Sequence, residues 1–167
     1  DPLNGVLDLK NRVLNATVNP KEVFSHDGLR LMRLARFSSE LNFTISDETM
    51  QGAKENADKI KDISVERIYE ELCKILVSPT AHSFSNPIGH YQGLKVLEEI
   101  GVLNYILPEL CLGKGLEQPK KYHDFDVLEH SLRAVRYSPE NVRLSALLHD
   151  VGKPYSFNKQ NNQLNSE

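Results

Sequence analysis

Residues 25–45 read SHDGLRLMRLARFSSELNFTI, and the first seventeen of them decide the fold. Leu29, Leu31, Met32, Leu34, Ala35 and Phe37 point nearly all round a helical wheel. Ser25 to Leu41 therefore reads as a helix at the centre of the molecule, because an amphipathic surface helix would keep one face polar. Ser25 is placed to cap it, and Asp27 in the first turn suits the positive end of the helix dipole. Against this apolar background Asp27, Arg30, Arg33 and Arg36 recur every third residue, on adjoining parts of one face. Charges on a buried helix need partners or a ligand.

Working outward, helical patterns dominate. Phe43, Thr44 and Ile45 give a short strand signal that leads into Ser46, the cap of a second helix carrying Met50, Ala53, Ala57 and Ile60. Ser64 caps a third, with Val65, Ile68, Leu72, Ile75 and Leu76 on one face and Ser78-Pro79 as its end. A fourth runs from Gln92 to Ile100 and stops at Gly101. Towards the N-terminus, Asp8 to Leu14 reads as a short helix, broken by Asn19-Pro20. Beyond Pro108, Gly113, Gly115 and Pro119 mark a boundary between residues 1–112 and 113–167. Two more helices are expected after it, Asp126 to Tyr137 and Asn141 to Val151, the second ended by Gly152 and Pro154. The fold class is all-α.

Composition narrows the class. The chain has 167 residues, 40% hydrophobic and 26% charged, which is a globular balance and excludes a disordered chain. No apolar run approaches the roughly 20 residues of a membrane span. Cys73 and Cys111 make neither a CxxC pair nor a disulfide framework, so a cytoplasmic setting is expected. The net charge of −3 excludes a protein that is basic all over. The chain opens on Asp1 instead of Met and ends in a polar tail, as an excised piece of a longer protein would.

Two constellations carry chemistry. His149-Asp150 closes an apolar helix ahead of Val151-Gly152-Lys153-Pro154, and His130 lies on the helix before. Antiparallel packing would bring His130 to the pair, and imidazole with carboxylate suits a divalent metal. The plain alternative is a His-Asp pair capping a helix. In the second constellation, Asp27 and Arg30 stand one turn apart, an acceptor and a bidentate donor suited to a base edge. Glu66, Arg67 and Glu71 form a charged strip at the start of another helix and can pair with the arginines. The alternative there is an ion-pair network that fixes two helices together.

The elements "DVLEHSL" and "LLHDVGKP" resemble an HD domain. The resemblance implies a metal held by His130, His149, Asp150 and a later Asp, and many members hydrolyse phosphate esters. No Asp follows Asp150, so that ligand set is incomplete here.

The segments "SHDGLRLMRLARFSSELNFTI" and "SVERIYEELCKIL" look like the neck and body of the bacterial tRNA nucleotidyltransferase / poly(A) polymerase family, the CCA-adding enzymes. "DPLNGVLDLKNRVL" matches the linker that leaves the family's catalytic head, and "GLKVLEEIGVLNYILPEL" matches the body. An HD domain commonly follows. By position, the resemblance makes Asp27 and Arg30 the pair that reads the Watson–Crick edges of incoming CTP and ATP, with Arg33 nearer the phosphates. It makes Glu66, Arg67 and Glu71 the brace of the neck. His26 stands where the family usually has an acidic residue. The implied partners are tRNA or another RNA 3′ end and nucleoside triphosphates; no membrane is implied, and the oligomeric state stays open.

Nucleotidyl transfer needs two metal ions on paired carboxylates, Mg2+ in this family, near a Gly-Ser turn. No Gly-Ser occurs in the sequence, and its one Asp-x-Asp, Asp124 and Asp126, lies at the HD entrance. The catalytic head is therefore expected before Asp1, and the chain alone is expected to be inactive. Two rival readings remain: an HD phosphohydrolase with a helical scaffold, and a helical RNA-binding module without chemistry. Lys114, Lys120 and Lys121 flank the boundary loop and can touch RNA phosphates, but a solvated loop is the favoured reading of them. Whether CCA, CC, A or poly(A) is added is not distinguished by these motifs.

Overall fold

The computed structural model describes residues 1–78, 89–116 and 125–156. The chain divides into two compact units, Asp1–Ile106 and Leu107–Glu167. In the first, α1 (Gly5–Asn11) leads to strand β1 (Val13–Leu14), then α2 (Pro20–His26) and α3 (Leu29–Leu41). Strand β2 (Thr44–Ile45) pairs in parallel with β1, Val13 opposite Thr44 and Leu14 opposite Ile45. Helix α4 (Asp47–Glu55), a 3-10 helix over Ala57–Asp62, α5 (Val65–Leu76), α6 (Gly89–Glu99) and α7 (Leu103–Ile106) complete the unit. The described residues are thus helical apart from one two-stranded ribbon, as the patterning predicts.

Helix α3 is the core element. Leu31, Met32 and Ala35 are completely buried, and α3 packs chiefly on α6 and α5. The approach is close because Gly93 faces the crossing. A Cβ there would lie 2.7 Å from Ile75 Cγ2 and 3.0 Å from Ser39 Cβ. The Ser39 hydroxyl, also buried, hydrogen-bonds the Ser78 hydroxyl and donates to the Gly89 carbonyl.

Several details differ from the sequence reading: the first helix is Gly5–Asn11 and not Asp8 to Leu14, because Val13 and Leu14 pair with Thr44 and Ile45 as β1. The central helix does not run unbroken from Ser25. Asp27 is extended, at φ −153° and ψ 105°, and it separates α2 from α3. Its Oδ1 accepts from the Leu29 amide at 2.9 Å, a local bond that competes with helix continuation. Ser25 lies inside α2 and donates to the Glu22 carbonyl. The second helix ends at Glu55, so Ala57 and Ile60 are buried from the 3-10 segment instead. Val65 is 77% exposed at the start of α5, while Leu72, Ile75 and Leu76 form the buried face.

The second unit holds α8 (Pro108–Cys111), α9 (Val127–Tyr137), a 3-10 turn over Glu140–Val142 and α10 (Arg143–Leu148). Asp126 caps α9 through the Glu129 amide at 2.7 Å, and its other oxygen accepts from the Gly115 amide at 2.8 Å. The Gly113 and Leu116 carbonyls accept from Leu128 and Val127. The glycine segment expected to divide the chain is therefore fastened to α9. Val127, Leu128, Leu132, Val135 and Leu147 form the buried face between α9 and α10. Helix α10 ends at Leu148, with His149 as its C-cap, before Gly152 is reached. Turns over 149–152 follow, with Val151 donating to Leu148, and then a short helical stretch over 153–156 in which Lys153 donates to Asp150.

Candidate functional site

The break between α2 and α3 presents Asp27 and Arg30. Asp27 is half-buried, one carboxylate oxygen fixed by the Leu29 amide. Arg30 is exposed, and its Nη1 donates to the Val23 carbonyl at 2.9 Å. Arg33 is one turn on, also exposed. Arg30 and Arg33 line a cavity of about 340 Å³ with Asn15, Thr17, Phe24 and Phe37. Phe37 is 40% exposed at the wall, with the Arg36 guanidinium 4.4 Å from its ring centroid. Such a set offers stacking and charge-assisted hydrogen bonding together. The sequence signalled the charged residues. Asn15 and Thr17 come from the loop after β1 and gave no signal, because only the ribbon pairing carries them to α3.

The charged strip of α5 divides. Glu71 is buried and meets Arg36, with Nε 2.7 Å from Glu71 Oε2. Arg36 Nη1 also holds Glu40 Oε2 at 2.8 Å, and Lys74 Nζ lies 3.1 Å from Glu71 Oε1. Burial alone would raise the Glu71 carboxyl, but the hydrogen bonds from Arg36 and Lys74 outweigh it and hold the group below its ordinary value. Burial likewise opposes the charge on Arg36, yet its bonds to Glu71 and Glu40 raise it. Glu66 and Arg67 are exposed and form no ion pair among the described residues.

In the second unit, α9 and α10 pack so that His130 meets His149-Asp150. His149 Nε2 lies 3.3 Å from His130 Nε2 and 3.1 Å from Asp150 Oδ2, and His130 Nε2 lies 3.5 Å from the same oxygen. The ligand atoms of all three lie within 4.8 Å of one another. His149 Nδ1 is 2.7 Å from the Ala146 carbonyl. A carbonyl only accepts, so Nδ1 donates to it, and this bond orients the ring with Nε2 facing the cluster. Two imidazole nitrogens and a carboxylate oxygen converging with one ring fixed this way fit a divalent cation by donor chemistry. Lys153, which the motif reading passed over, places Nζ 2.6 Å from Asp150 Oδ2. Its signal was the three-residue spacing from Asp150.

His90 is completely buried in α6. His82, His123, Lys120, Lys121, Tyr122 and Asp124 lie outside the described residues. Among the described residues no helix is long and apolar enough to cross a membrane.

Comparison with known proteins places these residues in a context. Residues 42–112 match the family model described as a probable RNA and SrmB-binding site of polymerase A. The chain is 37% identical over 169 residues to an A-adding tRNA nucleotidyltransferase of Deinococcus radiodurans, covering 94% of this chain and 36% of that protein. It is 34% identical over 164 residues to a multifunctional CCA protein of Vibrio parahaemolyticus, covering 92% and 37% respectively. It is also 46% identical over 79 residues to a CCA-adding enzyme of Lactobacillus helveticus, covering 47% of this chain and 20% of that one. The chain thus spans little more than a third of the length of the first two relatives.

Proposed function

Since the chain belongs to the tRNA nucleotidyltransferase and poly(A) polymerase family, we propose that it is the nucleotide-selecting, RNA-binding helical region of an enzyme that extends RNA 3′ ends. The observation that carries this reading is the α2–α3 break. There Asp27 and Arg30 stand three residues apart, an acceptor and a donor, and Arg30 lines a cavity with Arg33 and Phe37. The Asp27 carboxylate is oriented by the Leu29 amide, so an amino group on a base edge meets a fixed acceptor. Arg30 supplies N–H donors to the ring nitrogen and carbonyl positions of the same edge. Cytosine and adenine share an exocyclic amine next to an acceptor nitrogen, but only cytosine adds a carbonyl for Arg30, so the pair engages both and holds them unequally. Arg33 stands a turn away to meet phosphate. Glu71, through Arg36, holds α3 to α5 and so fixes the platform. The transfer itself, with Mg2+, belongs to a catalytic head elsewhere in the whole protein, with CTP or ATP as nucleotide and tRNA or another RNA 3′ end as acceptor.

The test is nucleotide choice in the full-length protein. Asp27→Ala and Arg30→Ala are expected to change the ratio of CTP to ATP incorporation by about tenfold or more, the effect of removing a bidentate base contact. RNA binding with unaltered nucleotide choice in both variants would leave a non-catalytic RNA-binding module as the better description. The chain alone is expected to add no nucleotide to tRNA.

A second reading concerns the second unit, and the convergence of His130, His149 and Asp150 favours it. We read this cluster as an HD-type divalent-metal site. A bound metal there would supply Lewis-acid activation of water for phosphate-ester hydrolysis. The chain's own contribution is to aim the His149 lone pair through the Ala146 carbonyl and to bring His130 to it by packing α9 on α10. Mn2+ is expected to raise the melting temperature of the protein and to lose that effect in His149→Ala. Stabilisation by a ligand at a hundred times its Kd is about 2.7 kcal/mol.

A further inference from the structure

Asp150 is the most heavily engaged carboxylate of the second unit, and its nearest polar neighbour is a cation of the protein's own. Lys153 Nζ lies 2.6 Å from Oδ2, against 3.1 Å for His149 Nε2 and 3.5 Å for His130 Nε2. All three reach the same oxygen, the one a metal bound by the triad would share. An ammonium and a divalent cation at one carboxylate oxygen repel each other strongly, and the more so because the Asp150 side chain is only 11% exposed.

The geometry points to Lys153 as a built-in competitor for the metal position, an inference that rests on the metal-site reading of His130, His149 and Asp150. The lysine neutralises Asp150 while the site holds no metal, and a divalent cation gains the carboxylate only by displacing it. The backbone allows this exchange without unfolding. The Lys153 amide donates to the Asp150 carbonyl at 3.0 Å, which fixes the turn, while Pro154 is buried behind it. The side chain is 35% exposed on a flexible four-carbon stem, so the ammonium has solvent to swing into. The triad without Lys153 would bind divalent ions more tightly than it does with it. The lysine lowers every divalent affinity at this site, so weakly held ions are lost first and those favoured by imidazole remain.

The experiment uses Mn2+ alone as probe, with no substrate and no activity readout. Mn2+ is titrated into the wild-type chain, Lys153→Met, Lys153→Gln and Lys153→Arg, each also with His149→Ala. Binding is read as paramagnetic broadening of the His130 and His149 ring signals, or of His130 alone where His149 is replaced. Circular dichroism confirms that each variant keeps its helices. Lys153→Met and Lys153→Gln are expected to bind Mn2+ about tenfold more tightly, while Lys153→Arg stays near the wild type because it keeps the charge. His149→Ala is expected to abolish the broadening in every background. Equal or weaker binding in Lys153→Met and Lys153→Gln, with the His149 dependence intact, would overturn the competition and leave the metal site standing. Absence of binding in all proteins, or binding indifferent to His149→Ala, would overturn the metal reading and this inference with it.

Discussion

The Arg36–Glu71 network of the first unit and the His130–His149–Asp150 cluster of the second each gather ionisable side chains between helices, but they balance charge differently. In the first, two cations and two carboxylates pair off, and each short contact joins opposite charges. In the second, three metal-ligating groups converge, and the contact between the two imidazoles joins groups of the same kind. A network whose charges cancel internally gains nothing from a ligand and serves to hold helices. In the second cluster the nearest opposite charge to Asp150 is Lys153, at 2.6 Å from Oδ2.

Removing one partner of the brace breaks the comparison most directly. Glu71→Ala leaves the half-buried Arg36 with Glu40 alone as counter-charge, and the expected loss is about 2 kcal/mol, read as a fall in the urea midpoint. The pH dependence has a definite sign. Glu71 is held below its ordinary value in the folded protein, so its contribution is complete above that value and drains away as pH falls through the lowered one. Glu55 is also held low, first by its hydrogen bond from Lys21, so acid titration of the wild type alone does not isolate Glu71. The difference between wild type and Glu71→Gln does: it is expected to be largest near neutrality and to shrink on acidification. A difference that grows on acidification would contradict the brace.

The next effects test how each unit closes. Gly93→Ala puts a methyl group against Ile75 and Ser39 where α6 crosses α3, and overpacking of this kind costs about 1–3 kcal/mol. Asp126→Ala removes the cap of α9 and the bond to the Gly115 amide together, with an expected cost of about 1–2 kcal/mol. Hydrogen exchange distinguishes the two. The Gly93 variant should expose amides of α3 and α6, and the Asp126 variant those of α9 and the 113–116 turn. Global exchange in both variants would mean that the two units unfold as one.

Much of this was legible in the sequence, and the exceptions have physical causes. The buried side of α3 and the positive φ of Gly101 follow from local rules, which periodicity and cap chemistry express directly. The convergence of His130 on His149-Asp150 needed only antiparallel packing of two adjacent helices. The break at Asp27 was missed because an Asp near a helix start can lie in the first turn or cap the turn that follows, and the choice is made by the preceding helix. The exposed Val65 was missed because periodicity gives a face but not where the face stops being covered. Asn15 and Thr17 at the cavity wall could not be found locally, since a parallel pairing across some thirty residues puts them there.

The smallest expected stability effect bears most on function. Arg30 is exposed, and its one bond to the Val23 carbonyl spans solvent-accessible groups, so Arg30→Ala should change stability by less than about 0.5 kcal/mol. Asp27→Ala loses the bond to the Leu29 amide at the start of α3 and should cost about 1 kcal/mol. Neither loss unfolds a protein of ordinary stability. A change in the CTP to ATP ratio in these variants can therefore be assigned to base reading and not to a damaged scaffold. Glu71→Ala serves as the opposite control: it should lower stability strongly and reduce overall nucleotide addition while leaving that ratio nearer the wild type. If the Glu71 variant instead altered the ratio as much as Arg30→Ala, the distinction between brace and reader would fail, and α3 would have to be treated as one device.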